Sequence, residues 1–310
     1  MKKALVITLL ACINALLCSC NKFTIGDITE ETRHLDESFQ VVEIRDDINV
    51  SLRHSNADTV AGTILIKTGE NLIDGINATV VDFSESNDSL PFKKLIITND
   101  NAYNNLRPHS HMPQMTLYYD TIYKIIFYSN ATNVRTDTLR GYNYLTHFAQ
   151  DTIEWDSLAS NLFLEMEGGS GNFNILANCY KLTTKCIHGT SNITIKGKTT
   201  LASTFADYDC HGIINCKNLN THIHYITTHG TNILKANCYY LLDVKNENIG
   251  EVHYLKYWTT KEEHVWNDSL HQNDTIISHI TCPQVIRYNG EYINPWTYDN
   301  EVRGLVKELE

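Results

Sequence analysis

Three His-Gly pairs, His188-Gly189, His211-Gly212 and His229-Gly230, recur roughly once per twenty residues. In register on stacked strands, their imidazoles would lie about 5 Å apart along one edge, a spacing open to a metal ion. No carboxylate is fixed beside them by spacing, and three ligands underdetermine a site. The plainer reading is histidine standing in for a polar turn residue, so no metal or other cofactor is expected. His109 with His111, and His222 with His224, are read the same way. Glu165 and Glu167 flank Met166, so on a strand both carboxylates point to one side, about 6.7 Å apart along the chain. Paired carboxylates serve glycosidases, but an acidic face before a turn needs no chemistry. The sequence contains no GxSxG, Walker-type loop or HExxH, and no catalytic residue is assigned.

Cysteines form a second pattern. Cys179, Cys216 and Cys238 each precede a leucine (Leu182, Leu219, Leu241) by three residues, which places them in one column, with Lys198 in the intervening rung. Cys216 and Cys238 would then sit on adjacent strands about 4.8 Å apart, compatible with a disulfide or with a ladder of buried thiols. No CxxC or Cys/His zinc pattern occurs. Tyrosines crowd one segment, at Tyr118, Tyr119, Tyr123 and Tyr128, with Trp155, Tyr257 and Trp258 elsewhere. Exposed rings would suit a glycan or protein ligand; buried ones would be ordinary strand side chains.

The elements that must position these residues are strands. Gly171–Leu182 (GNFNILANCYKL) and Gly230–Leu241 (GTNILKANCYYL) nearly repeat each other, and the leucine slot recurs at Leu201 and Leu219. A period near twenty residues, rich in Asn, Thr, Gly and alternating aliphatics, predicts an all-β solenoid of stacked coils. Glycines supply the turns, and Phe173, Ile175, Ile193 and Ile195 are predicted to face inward. Strand patterns begin at Phe39 and persist to Trp258. Beyond, Thr259–Asn273 reads as loop, Thr275–Ile280 as a strand, and the end as a short helix with Val302, Leu305, Val306 and Leu309 on one face. Residues 259–310 are expected to cap the last rung.

The start reads as an address. Lys2 and Lys3 precede the apolar run Ala4–Leu17, too short to span a bilayer, and Leu17-Cys18-Ser19-Cys20 looks like a lipobox with Cys20 as the acylated residue. Residues 1–19 are the signal peptide and 20–38 a polar tether. Loss of Lys2 and Lys3 leaves 23 basic against 36 acidic residues, a net charge of −13. That balance argues against nucleic acid and against electrostatic docking on anionic lipid.

FQVVEI and INVSLRH at the start, NLIDGINATV in the middle, GSG-type turns and the closing IGEVHYLKY resemble the head-GIN-domain family of putative auto-transporter adhesins, found in Bacteroidetes lipoproteins. The resemblance spans residues 39–258. It implies a right-handed parallel β-helix with Gly-rich turns, without catalytic residues, and a role in adhesion. Only Gly169-Ser170-Gly171 is a full GSG; other turns use His-Gly or Ile249-Gly250.

Asp-Ser/Thr-aliphatic triplets place Thr59, Ser89, Thr121, Thr138, Thr152, Ser157, Ser269 and Thr275 in a pattern similar to the O-glycosylation sequon of Bacteroidetes envelope proteins. The same triplet is also a natural turn into a strand. The expected function is binding or adhesion by a protein lipid-anchored to the outer membrane, on either face, although Asn21-Lys22-Phe23-Thr24 carries no acidic run of the kind a surface-export signal would have, which favours the periplasmic face. The alternatives are a β-helical carbohydrate-active enzyme and a periplasm-facing structural lipoprotein.

Overall fold

Alternation of apolar and polar residues governs the chain, and the computed structural model is all-β. It describes residues 25–55, 58–84, 92–101, 112–128, 133–139, 161–255, 257–267, 272–293 and 306–308. The first strands are β1 (Ile28–His34), β2 (Val41–Ile44), β3 (Asn49–His54), β4 (Thr63–Gly69), β5 (Ile76–Phe83), β6 (Phe92–Asn99) and β7 (Gln114–Tyr119). Then come β8 (Lys124–Phe127), β9 (Asn133–Leu139), β10 (Asn161–Met166), and the long β11 (Asn172–Gly189), β12 (Asn192–Cys210), β13 (Ile213–Thr228) and β14 (Ile233–Asn246). The last are β15 (Glu251–Leu255), β16 (Tyr257–Asn267), β17 (Gln272–Cys282), β18 (Val285–Tyr288), β19 (Glu291–Ile293) and β20 (Val306–Glu308).

The long strands pair in parallel along two separate stretches. Their first halves continue the run β7–β3–β9 and end on β15 and β20. Their second halves continue β6–β2–β8–β10 and end on β18. Every second residue of β11 is buried over most of its length. Buried residues therefore stack in register: Phe173, Ile193, Ile214, Leu234 and Val252 in one column, Leu162, Leu182, Ala202, His224, Leu242 and Ile286 in another. Phe173, Ile175, Ile193 and Ile195 all point into this core, as their alternation predicts.

Glycine works in two ways. Gly189 has φ 107°, the left-handed region that a Cβ disfavours. Gly212 has no such φ; a Cβ there would overlap the carbonyl oxygen of Ser191 in the turn between β11 and β12, so close backbone approach demands it.

The period is not constant. Asn174 lies opposite Thr194, a step of twenty residues, but a register irregularity between Thr194 and Lys196 places Lys196 opposite Asn218. The expected cysteine column is wrong in its middle, because β13 pairs 21 to 22 residues on from β12 and sets Thr221, not Cys216, beside Thr199. Cys179, Thr199, Thr221 and Cys238 form the column, and Cys216 falls beside the irregularity. The leucine slot slips as well: Leu241 aligns with Ile223 and Leu201 on the outward side, not with Leu182.

Three further expectations change. Ile28–His34, read as tether, pairs along its whole length with β4, burying backbone groups a tether would leave in water. Residues 257–267 and 272–282, read as loop and one strand, pair as an eleven-residue antiparallel hairpin. Val306–Glu308, read as helix, is a strand paired with Val252–Tyr254, covering a sheet edge that would otherwise be open.

Candidate functional site

On the second halves of β12–β14 and on β18, the residues between the buried ones face outward. They form three columns across these strands. Leu201, Ile223, Leu241 and Val285 give a half-buried apolar column. Beside it run Ser203, Tyr225, Asp243 and Arg287, then Phe205, Thr227 and Lys245. Tyr225 is 39% exposed although it sits amid packed strands, which leaves its ring open to a ligand.

The second and third columns, from Tyr225 and Thr227 onward, open into a depression of about 480 Å³. Its floor includes Tyr225, Thr227, Asp243, Lys245, Arg287 and Asn289. Charge is matched within it. Arg287 binds the Asp243 carboxylate on the neighbouring strand, and Lys245 Nζ lies 2.6 Å from Glu247 Oε1. The Glu247 carboxylate raises the Lys245 pKa, and the ammonium in turn lowers that of Glu247.

The rim is set by a tight turn. Asn289 and Gly290 both have positive φ, 48° and 89°, and join β18 to β19 as a two-residue hairpin. Asn289 pins that hairpin to β14: its Oδ1 accepts from Asn246 N at 2.8 Å and its Nδ2 donates to Asn246 O at 3.1 Å. The Asn-Gly pair is the sequence signal that could have revealed this corner.

A ridge of rings borders the apolar column. His222 stacks on Tyr239 and Tyr240 at centroid distances of 5.5 and 5.4 Å, and Tyr180 lies two strands away on the same corner. Tyr180 and Tyr240 are both exposed.

The residues singled out by spacing are dispersed. His188 Nδ1 is 3.5 Å from Asp209, and His211 Nδ1 is 2.8 Å from Thr231 Oγ1. His229 lies between Glu247, 3.4 Å away, and Asp207, 3.9 Å away, with its ring against Phe205 and Tyr208. The imidazole column fails because the register sets His188 opposite Asp209, not opposite a histidine. Among the described residues no cluster of His, Cys, Asp or Glu could hold a metal.

Glu165 and Glu167 sit in different electrostatic settings. Burial acts to raise the Glu165 pKa, but Lys124 and Lys185 each hold one of its oxygens and bring it below the usual carboxylate range. Glu167 is raised, first by burial and then by the Glu165 charge. Both Glu165 oxygens are thus engaged by ammonium groups.

The disulfide lies where spacing did not place it. Cys186 and Cys210 are joined with Cα atoms 6.1 Å apart, while Cys179, Cys216, Cys238 and Cys282 are free and buried. Burial pushes the Cys179 and Cys216 thiols up to about 12 and Cys238 up to about 11, so they are packing groups and poor nucleophiles.

Tyr119 and Tyr123 are buried, and Tyr128 is exposed beneath the Arg45 guanidinium at 5.4 Å. Thr59 and Thr121 are half-buried, and Thr138 and Thr275 lie in β9 and β17. Cys20, Ser89, Thr152, Trp155, Ser157 and Ser269 lie outside the described residues. No described helix is long and apolar enough to cross a membrane.

Solved structures share this fold. A putative adhesin from Bacteroides fragilis NCTC 9343 superposes with a TM-score of 0.55 at 16% identity, over 74% of this chain and 88% of its own. A putative adhesin from Parabacteroides distasonis ATCC 8503 matches with a TM-score of 0.52 at 13% identity, over 92% of this chain and 98% of its own. One from Parabacteroides merdae ATCC 43184 gives 0.50 at 14% identity, over 92% and 97%. At these identities the likeness is one of fold. No family model matches the chain, and no curated protein matches its sequence.

Proposed function

We propose that this protein is a non-catalytic binding protein of the bacterial cell envelope, a right-handed parallel β-helix of the head-GIN type, lipid-anchored through Cys20. Its ligand lies on the outward face around Tyr225, Asp243 and Arg287. The observation that carries the reading is an exposed tyrosine beside matched ion pairs, in a depression formed by regular strands. Rigid strands hold such groups better than loops do. The naming of the similar folds as putative adhesins agrees with binding. An enzymatic role draws no support from Glu165, whose oxygens are both engaged by lysines.

The hairpin of β16 and β17 and the strand β20 serve as the cap. Glycosylation at the Asp-Ser/Thr triplets remains part of the proposal, with Ser269 and Thr275 the leading positions. Beads carrying the mature chain test the function when passed over glycan- and protein-coated surfaces. Retention on at least one surface, lost in the Tyr225→Ala/Arg287→Ala double variant, supports it. Retention no greater than that of albumin-coated beads on every surface contradicts it.

A further inference from the structure

The depression's chemistry narrows what it can hold. An anionic ligand such as phosphate needs uncompensated positive charge, but Arg287 and Lys245 already face Asp243 and Glu247. The chain as a whole is acidic, which repels anions further. A lipid chain needs an enclosed apolar cavity, whereas this depression is open and lined by Thr227, Asn289 and four charged groups. What the lining does supply is a flat, exposed ring flanked by carboxylate acceptors and by ammonium and guanidinium donors. Tyr225, Asp243 and Arg287 occupy one register column on three successive strands, so each lies about 4.8 Å from the next across the sheet. A ring beside donors and acceptors matches a pyranose, which has an apolar C–H face and a rim of hydroxyls that both donate and accept.

Resting on the reading of this face as the ligand site, we propose that the depression binds a neutral hexose unit of a glycan. Its C–H face lies on Tyr225 and its hydroxyls meet Asp243, Lys245 and Arg287. The volume of about 480 Å³ falls within the small-ligand range of about 300–1,000 Å³, and its openness lets a longer glycan run on along the sheet. Nothing in this site changes a covalent bond; it is recognition only.

The experiment is saturation-transfer NMR on the full mature chain, with glucose, galactose, mannose and N-acetylglucosamine as separate millimolar probes. Sodium phosphate and octanoate serve as the anionic and apolar comparisons. Transfer to the C–H protons of at least one sugar is expected. Affinity should fall about two- to tenfold in Tyr225→Ala, the size of a lost ring contact, and stay unchanged in Tyr180→Ala. Circular dichroism confirms that both variants fold. Three results overturn the proposal: no sugar receiving transfer, transfer insensitive to Tyr225→Ala, or only phosphate or octanoate binding. Bead retention that depends on Tyr225 and Arg287 while no hexose binds overturns the hexose alone. Retention insensitive to both residues removes the face itself.

Discussion

His224 and Thr204 share a buried hydrogen bond, Nε2 to Oγ1 at 2.9 Å, while His224 Nδ1 is enclosed without a partner. The ring stands in an aliphatic column between Ala202 and Leu242. Burial lowers its pKa to about 4, against about 6.5 in an unfolded chain. The unfolded chain therefore binds the proton first as pH falls, and the folded state loses stability between about pH 6.5 and 4. The loss approaches about 3 kcal/mol once pH is below both values. Urea midpoints measured from pH 7 to pH 4 should fall in the native chain, and the His224→Leu variant should show a shallower acid limb.

The Cys186–Cys210 bond joins adjacent strands of the core across a separation of 24 residues. Closing a loop of that size stabilises a fold by roughly 3 kcal/mol through the unfolded chain. The Cys186→Ala/Cys210→Ala pair should lower stability by about that amount in urea, with little change in circular dichroism. Non-reducing peptide mapping should recover these two cysteines linked, and Cys216 and Cys238 as free thiols.

Glu43 is buried to 1% exposure of its side chain, on the outward side of β2, and is bound by Lys94 and Arg45. Removing one cation strands part of a buried carboxylate. Lys94→Ala should cost about 2–3 kcal/mol, more than Arg45→Ala, because the Lys94 side chain is 16% exposed and the Arg45 side chain 45%. Paired urea titrations compare the two variants directly.

At Gly212 the obstacle is the backbone of the turn between β11 and β12, which cannot swing aside as a side chain would. Gly212→Ala should therefore destabilise by roughly 1–3 kcal/mol. Gly290→Ala meets nothing nearby and suffers only from its positive φ, so it should cost less. Thermal melts of both variants check the order.

The all-β core was legible because its signal is local. Phe173, Ile175, Ile193 and Ile195 alternate with polar residues, and a period of two suffices to turn them inward. What depended on register was not legible. Pairing of Thr194 with Asn215 and of Thr199 with Thr221 leaves Cys216 outside the cysteine column, and the residues that set this register look like any other strand sequence. Tyr225, Asp243 and Arg287 meet through steps of 18 and 44 residues, which no constant twenty-residue period brings together. Val306 shows the same limit in reverse. Its helical spacing was outweighed by an open edge on β15 that only the assembled sheet presents.

A crystal structure of the mature chain soaked with the tightest-binding hexose would locate the ligand on or off this face. The sugar ring is expected on the Tyr225 phenol, with its hydroxyls within hydrogen-bond distance of Asp243 and Arg287. A sugar bound elsewhere on the molecule, or a depression that stays empty at saturating sugar, would contradict it.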